Sequence, residues 1–297
     1  MISEYLPSHQ FQTRNSGRRR SEAYAKGQDF ITGRELQKLK EQTKVISTGN
    51  NQLDDLLMIP EYRSYGIRLG ETYEFYGASR SGKTQLMHQL AVTSQFPRKF
   101  GGPDKDMIFI DTEHSFSPAR ISQIAEAMRV RFNWQRETNE ILSRIMITRC
   151  NTVNQLDQAV KVIDHLLAAD EDRFGLLVVD SIASTFRAAY LGQSHLVERQ
   201  QAINSLLNQL KNYALTYKIA VIITNQVVAQ PEQVFGPALI HSGGHIIGHW
   251  ATHRLQLRMN RANTRTIKII DSPVYPEMET VVAITKQGIS SVGEFTG

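Results

Sequence analysis

Residues 77 to 84 read Gly-Ala-Ser-Arg-Ser-Gly-Lys-Thr, a full G-x-x-x-x-G-K-[ST] pattern. It dictates a strand, a tight bend and a helix in immediate succession, because a bent backbone must turn its N–H groups onto an anion at a helix N-terminus. The flanks agree. Glu71-Thr-Tyr-Glu-Phe-Tyr76 has the composition of a strand, and Thr84 to Gln95 that of a helix. Gly77 and Gly82 permit the bend, Ala78, Ser79, Arg80 and Ser81 complete it, and Gln85 follows it. Lys83 is placed to reach β- and γ-phosphates, and Thr84 to offer a hydroxyl to Mg²⁺. With glycine near 7% of residues in ordinary proteins, a chance match in a chain of 297 residues has odds of roughly one in a hundred. The sequence therefore predicts a nucleoside triphosphate site, with ATP and Mg²⁺ as its ligands.

The rest of the pattern predicts an α/β fold. Met107-Ile-Phe-Ile-Asp111, Ile145-Met-Ile-Thr148, Gly175-Leu-Leu-Val-Val-Asp180 and Ile219-Ala-Val-Ile-Ile-Thr224 are short and almost wholly apolar, as strands buried on both faces must be. Helical patterns at 118–128, 153–168 and 197–217 lie between them, which gives a mostly parallel sheet flanked by helices. His253 to Leu257, Thr266 to Ile270 and Glu279 to Ile284 read as strands with no helix between, an antiparallel C-terminal extension.

Residues 1–43 form a separate expectation: a basic N-terminal arm and linker ahead of an ATPase core at 44–297. Arg14, Arg18, Arg19 and Arg20 crowd a stretch poor in core-forming residues, and the net charge is +5. Both a solvated tail and an arm that touches a phosphate backbone fit this composition. The N-terminus lacks the apolar segment of a secretory signal, and no apolar run approaches the ~18 residues that span a bilayer, so no membrane partner is expected. The single cysteine, Cys150, excludes an internal disulfide and is in keeping with a reducing compartment.

Leu176-Leu-Val-Val-Asp180 is an apolar strand ending in an acid, and Asp180 is the expected metal carboxylate opposite Thr84. Glu113 follows another buried strand at the carboxyl edge of the sheet, where it can polarise a water or cap a helix. Asn225-Gln226 follows the 219–224 strand on the same edge, within reach of a γ-phosphate.

Taken together these stretches resemble the RecA superfamily, and within it archaeal RadA and its eukaryotic recombinase relatives. The likeness runs from about Phe30 to Gly288. Beyond the phosphate loop it rests on Ile46-Ser-Thr-Gly49, Ile110-Asp-Thr-Glu113, Val179-Asp-Ser181, Glu198-Arg-Gln-Gln201, Thr224-Asn-Gln-Val227, Gly243-Gly-His245 and Asp271-Ser-Pro273, in that order. The resemblance implies a RecA-like P-loop NTPase core and a DNA-dependent ATPase. In it Lys83, Glu113 and Gln226 act in hydrolysis, Arg120 stacks on adenine, and His249, Asp271 and Pro273 meet ATP across a protomer boundary. It implies DNA contacts through two loops, at about 187–199 and 228–244, with Arg187, Arg199, Val228, Gly243 and Gly244 as matching positions. It implies that Phe30 anchors a linker strand in a neighbouring copy within a helical filament. The implied partners are single-stranded and double-stranded DNA, with either further copies of the chain or a related recombinase. The compartment is the cytoplasm (nucleoid) if the chain is archaeal and the nucleus if it is eukaryotic.

The chain departs from that pattern. The family's N-terminal helix-hairpin-helix domain is replaced by the short arm. Gln193 stands in the first loop where arginine is usual, and His114 and Ser117 stand where glycine and arginine are usual beside Glu113. Two functions therefore stay open: a recombinase that forms filaments on single-stranded DNA and promotes pairing and strand exchange, or a paralogue that binds ATP and DNA and assists or caps another recombinase's filament.

Overall fold

The computed structural model describes residues 30–189, 196–229, 239–241 and 245–295. They divide after Gln42. In the first unit, α1 (Gly33–Glu41) begins with a reciprocal cap in which Thr32 accepts from the Glu35 N–H and the Glu35 carboxylate accepts from the Thr32 N–H. Lys38 and Lys40 in its last turn suit the negative end of the helix dipole. Phe30, just ahead of it, is 93% exposed.

The second unit holds the sheet. A small ribbon, β1 (Val45–Ile46) with β2 (Ile67–Arg68), lies in a sheet of its own, and α2 (Asn51–Leu56) is the helix between these strands. The main sheet contains β3 (Thr72–Gly77), β4 (Asp106–Asp111), β5 (Ile145–Arg149), β6 (Phe174–Asp180) and β7 (Ala220–Ala229), followed by β8 (Leu239–His241). It ends with β9 (His253–Met259), β10 (Thr264–Asp271), β11 (Glu279–Thr285) and β12 (Gly288–Ser291). Its order is β12-β11-β10-β9-β3-β7-β6-β4-β5, with β8 paired to β7. The β3–β7–β6–β4–β5 block is parallel, and β9 joins it parallel to β3. From β9 to β12 every pairing is antiparallel. The fold expected from the sequence is the one observed.

Strand β4 shows why these runs are uniformly apolar. Met107 and Phe109 enter one core cluster while Ile108 and Ile110 enter the other, on the opposite face. The first face is covered by α3 (Lys83–Thr93), α4 (Pro118–Phe132) and the short α5 (Thr138–Ser143); the second by α6 (Val153–Ala169), α7 (Ile182–Ala189) and α8 (Leu196–Tyr217). Cys150 is buried in the second cluster. Among the described residues no helix is long and apolar enough to cross a membrane.

The structure differs from the sequence expectation at several elements. β7 does not stop at Thr224 but continues to Ala229, because Val227, Val228 and Ala229 pair antiparallel with His241, Ile240 and Leu239. The expected second loop thus begins inside a hairpin. In the expected first loop Arg187 lies in α7 and Arg199 in α8, and residues 190–195 lie outside the described residues. β12 has no counterpart in the sequence reading. It is held by pairing to β11 and by Gln89, whose side chain accepts from the Ile289 N–H at 2.6 Å.

A buried ion pair joins the two halves of the sheet. Glu74 on β3 is wholly buried and accepts from Arg254 Nε of β9 at 2.8 Å and from Asn225 Nδ2 of β7 at 2.9 Å. Such a carboxylate tolerates burial only because both partners satisfy it; losing one costs about 3–5 kcal/mol.

Candidate active site

The phosphate loop is built as its residues require. Gly82, the N-cap of α3, has φ of 99°, a region that glycine enters without steric cost. Gly77 needs to be glycine for a different reason: a Cβ there would stand 2.2 Å from the Leu257 carbonyl oxygen of β9. Lys83 Nζ donates to the Gly77 and Ala78 carbonyls, both at 3.0 Å, and lies 3.4 Å from Ser81 Oγ. Burial lowers its pKa, while Asp180 and Glu113 act to raise it.

Thr84 Oγ1 donates to Asp180 Oδ2 at 2.7 Å. The same carboxylate accepts from the Thr224 hydroxyl and from Ser115 Oγ at 3.3 Å. Burial raises the Asp180 pKa, and the bonds from Thr224 and Thr84 oppose the rise. This hydroxyl–carboxylate set is made of hard oxygen donors, the kind Mg²⁺ takes when it keeps waters and phosphate oxygens as its other ligands. The donors present therefore fit the metal expected there.

Glu113 stands just beyond β4. Its Oε1 accepts from Ser181 Oγ at 2.5 Å and from Gln226 Nε2 at 2.8 Å. The candidate water-activating carboxylate and the candidate phosphate sensor are thus directly bonded. Ser181 follows Asp180 across a cis peptide, and its grip on Glu113 was not foreseen in the sequence.

Ser79, Arg80, Ser81, Gly82, Lys83, Thr84 and Gln85 line one cavity of about 500 Å³ together with Glu113, Arg120, Gln226, Arg265, Ile284 and Thr285. Its size and convergent polar groups suit a nucleotide. Arg120 is tied down rather than free to swing. It donates to Gln85 Oε1 at 2.8 Å and to the Thr285 and Lys286 carbonyls at 2.6 Å. Arg265, Ile284 and Thr285 are lining residues that sequence reasoning missed, since a single arginine in an alternating strand carries no local signal.

His88 braces the site from beneath. It is 1% exposed, it packs on Phe109 and Phe116, and its Nε2 accepts from the Ser117 N–H at 3.0 Å. The ring must therefore be neutral, with its proton on Nδ1. Burial pulls its pKa from 6.5 down to about 4. Because the folded value is the lower one, the unfolded chain takes up this proton first as the pH falls. Stability is full above pH 6.5 and declines towards pH 4. Urea unfolding at pH 5 is expected to show a loss on the order of 2 kcal/mol relative to pH 7.5, and His88→Gln to remove that part of the loss.

The remaining expected positions do not line this cavity. His249, in α9 (His245–Trp250), is exposed, as are Asp271 and Pro273. The turn that carries Asp271 and Pro273 is fixed by Ser272, whose Oγ lies 2.9 Å from His253 Nδ1 and accepts from the Val274 and Tyr275 N–H groups. His253 in turn meets buried Glu71 at 2.7 Å. Arg199 is half-buried in α8. Gly243, Gly244, Gln193 and the basic arm lie outside the described residues, as do the side chains of Arg187 and Val228. Compared with known protein families, the chain matches the family model described as Rad51 over residues 39–292.

Proposed function

Because the chain belongs to the Rad51 family, and so to the RecA-like ATP-binding proteins of DNA recombination and repair, we propose that it is a DNA-dependent ATPase that forms filaments on single-stranded DNA and promotes homologous pairing and strand exchange. The observation that carries this reading is the Glu113–Gln226 hydrogen bond. Gln226 lies on β7, three residues before the strand's last residue, Ala229, and β7 runs directly into the hairpin with β8. A group that senses phosphate is thereby covalently continuous with the segment expected to hold DNA.

In this reading Lys83 and the loop N–H groups bind the β- and γ-phosphates and neutralise charge that builds up during transfer. Thr84 and Asp180 would hold Mg²⁺, which would add to that charge neutralisation when bound. Glu113 orients a water and takes its proton. Gln226 exchanges its bond to Glu113 for one to the γ-phosphate, and that shift moves the end of β7. His249, Asp271 and Pro273 close the site from a neighbouring copy, and Phe30 anchors the linker between copies. Residues 1–43 serve as arm and linker, and 44–297 as the ATPase core.

A second reading, a mediator that assists or caps another recombinase's filament, is favoured by the segment after Glu113. His114 holds φ at 55° and bonds Asn151 at 2.5 Å, while Ser117 caps α4 by accepting from the Arg120 N–H at 3.2 Å. A segment that glycine would leave free is pinned at both ends. Electron microscopy of the protein with ATP and single-stranded DNA, paired with a phosphate-release assay, separates the two. Long helical filaments and DNA-stimulated hydrolysis are the expected result; short rings or isolated particles with unstimulated hydrolysis favour the mediator.

A further inference from the structure

One wall of the cavity is claimed by no sequence motif. Arg265 on β10 lines it and is 9% exposed. One guanidinium nitrogen, Nη1, donates to the adjacent Thr264 carbonyl at 2.8 Å, but Nε is buried without a hydrogen-bond partner. Arg68, the other buried arginine among the described residues, pairs with Glu71 at 3.3 Å, and the half-buried Arg254 pairs with Glu74 at 2.8 Å. Among the described residues no carboxylate pairs with Arg265. Burial accordingly pulls its pKa below the ordinary arginine value, although arginine keeps its proton in proteins. A desolvated cation with an open donor is unfavourable to the folded chain by itself.

Its position says what would relieve it. A Cβ placed on Gly82 would lie 3.5 Å from Arg265 Cγ and 3.7 Å from Nε. The side chain therefore lies along the phosphate loop where α3 begins, the end of a helix that attracts anions. Lys83 and Arg120 face the same space. With Arg80, which lines it too, four cationic side chains border one cavity and match a ligand with several negative charges.

We propose that Arg265 is a nucleotide-binding residue that donates to the polyphosphate of ATP from the β10 side, beside the start of α3. This rests on the nucleotide reading of the cavity. A planar forked donor suits phosphate oxygens better than an ammonium does. An arginine kept for a ligand also behaves differently from one kept for the fold: removing it should spare the empty protein and harm the complex.

The test uses the full chain, titrated with a fluorescent MgATP analogue and melted with and without MgATP. Arg265→Gln is expected to weaken binding by about tenfold or more, and Arg265→Lys by about threefold. The melting temperature of the nucleotide-free Arg265→Gln protein should stay level or rise, while its MgATP-induced shift shrinks. Loss of binding in Lys83→Ala with wild-type binding in both Arg265 variants overturns the inference and leaves the nucleotide reading standing. Wild-type binding in all three removes both. Should Arg265→Gln fail to fold, unchanged affinity in Arg265→Lys still overturns the proposal.

Discussion

Lys83→Ala is expected to lower ATP turnover by at least about 100-fold and to weaken ATP binding in parallel. The size follows from what the ammonium does. It is held over the loop by the Gly77 and Ala78 carbonyls at 3.0 Å, so little rearrangement stands between its resting place and a phosphate. A charge-assisted bond contributes about 1.5–3 kcal/mol, and each 1.36 kcal/mol of barrier is a factor of ten. A lysine that bridges two phosphates supplies about 3 kcal/mol of that kind. Phosphate release at saturating ATP measures turnover, and circular dichroism checks that the shortened side chain leaves the fold intact. Turnover at the wild-type rate would remove the nucleotide assignment altogether.

Glu113→Gln is expected to separate binding from chemistry. The amide keeps the shape of the carboxylate, and its carbonyl oxygen can still accept from Ser181 and Gln226, the partners Oε1 has now. ATP affinity should therefore stay within about twofold. What is lost is the ability to accept a proton from water, and removing a positioned general base lowers rates by about 10²- to 10⁴-fold. Single-turnover hydrolysis, with the ATP analogue titration beside it, reads the two quantities separately. If turnover persists, the base is another group, and Glu113 is a strut between β4 and β7.

The parts of the site that could be read from the sequence are those whose chemistry is local. The phosphate loop needs fixed residue types at fixed spacing, and Asp180 and Glu113 each stand at or just beyond the end of an apolar strand, so both are visible without any knowledge of tertiary contacts. The parallel strands were equally legible, because burial on both faces leaves no room for alternation. What escaped has a long-range origin. Arg265, Ile284 and Thr285 reach the cavity through antiparallel pairing of β9 to β11, and Ser181 reaches Glu113 only once β4 and β6 lie side by side. The extension of β7 to Ala229 was missed because Val227 and Val228 gain their partners from residues 239–241, across a segment with no local pairing signal. The helices α5 and α9 were missed for want of length; six residues hold too little periodicity to read.

The cavity is assembled from distant parts of the chain. Its floor is formed by residues 79–85, but Arg265, Ile284 and Thr285 come from β10 and β11, and the Leu257 carbonyl of β9 backs Gly77. A polypeptide still emerging from the ribosome has its phosphate loop long before it has the far wall. A nucleotide bound there would therefore stabilise the joined sheet and not the phosphate loop alone, and a chain cut short ahead of β10 is expected to bind it more weakly.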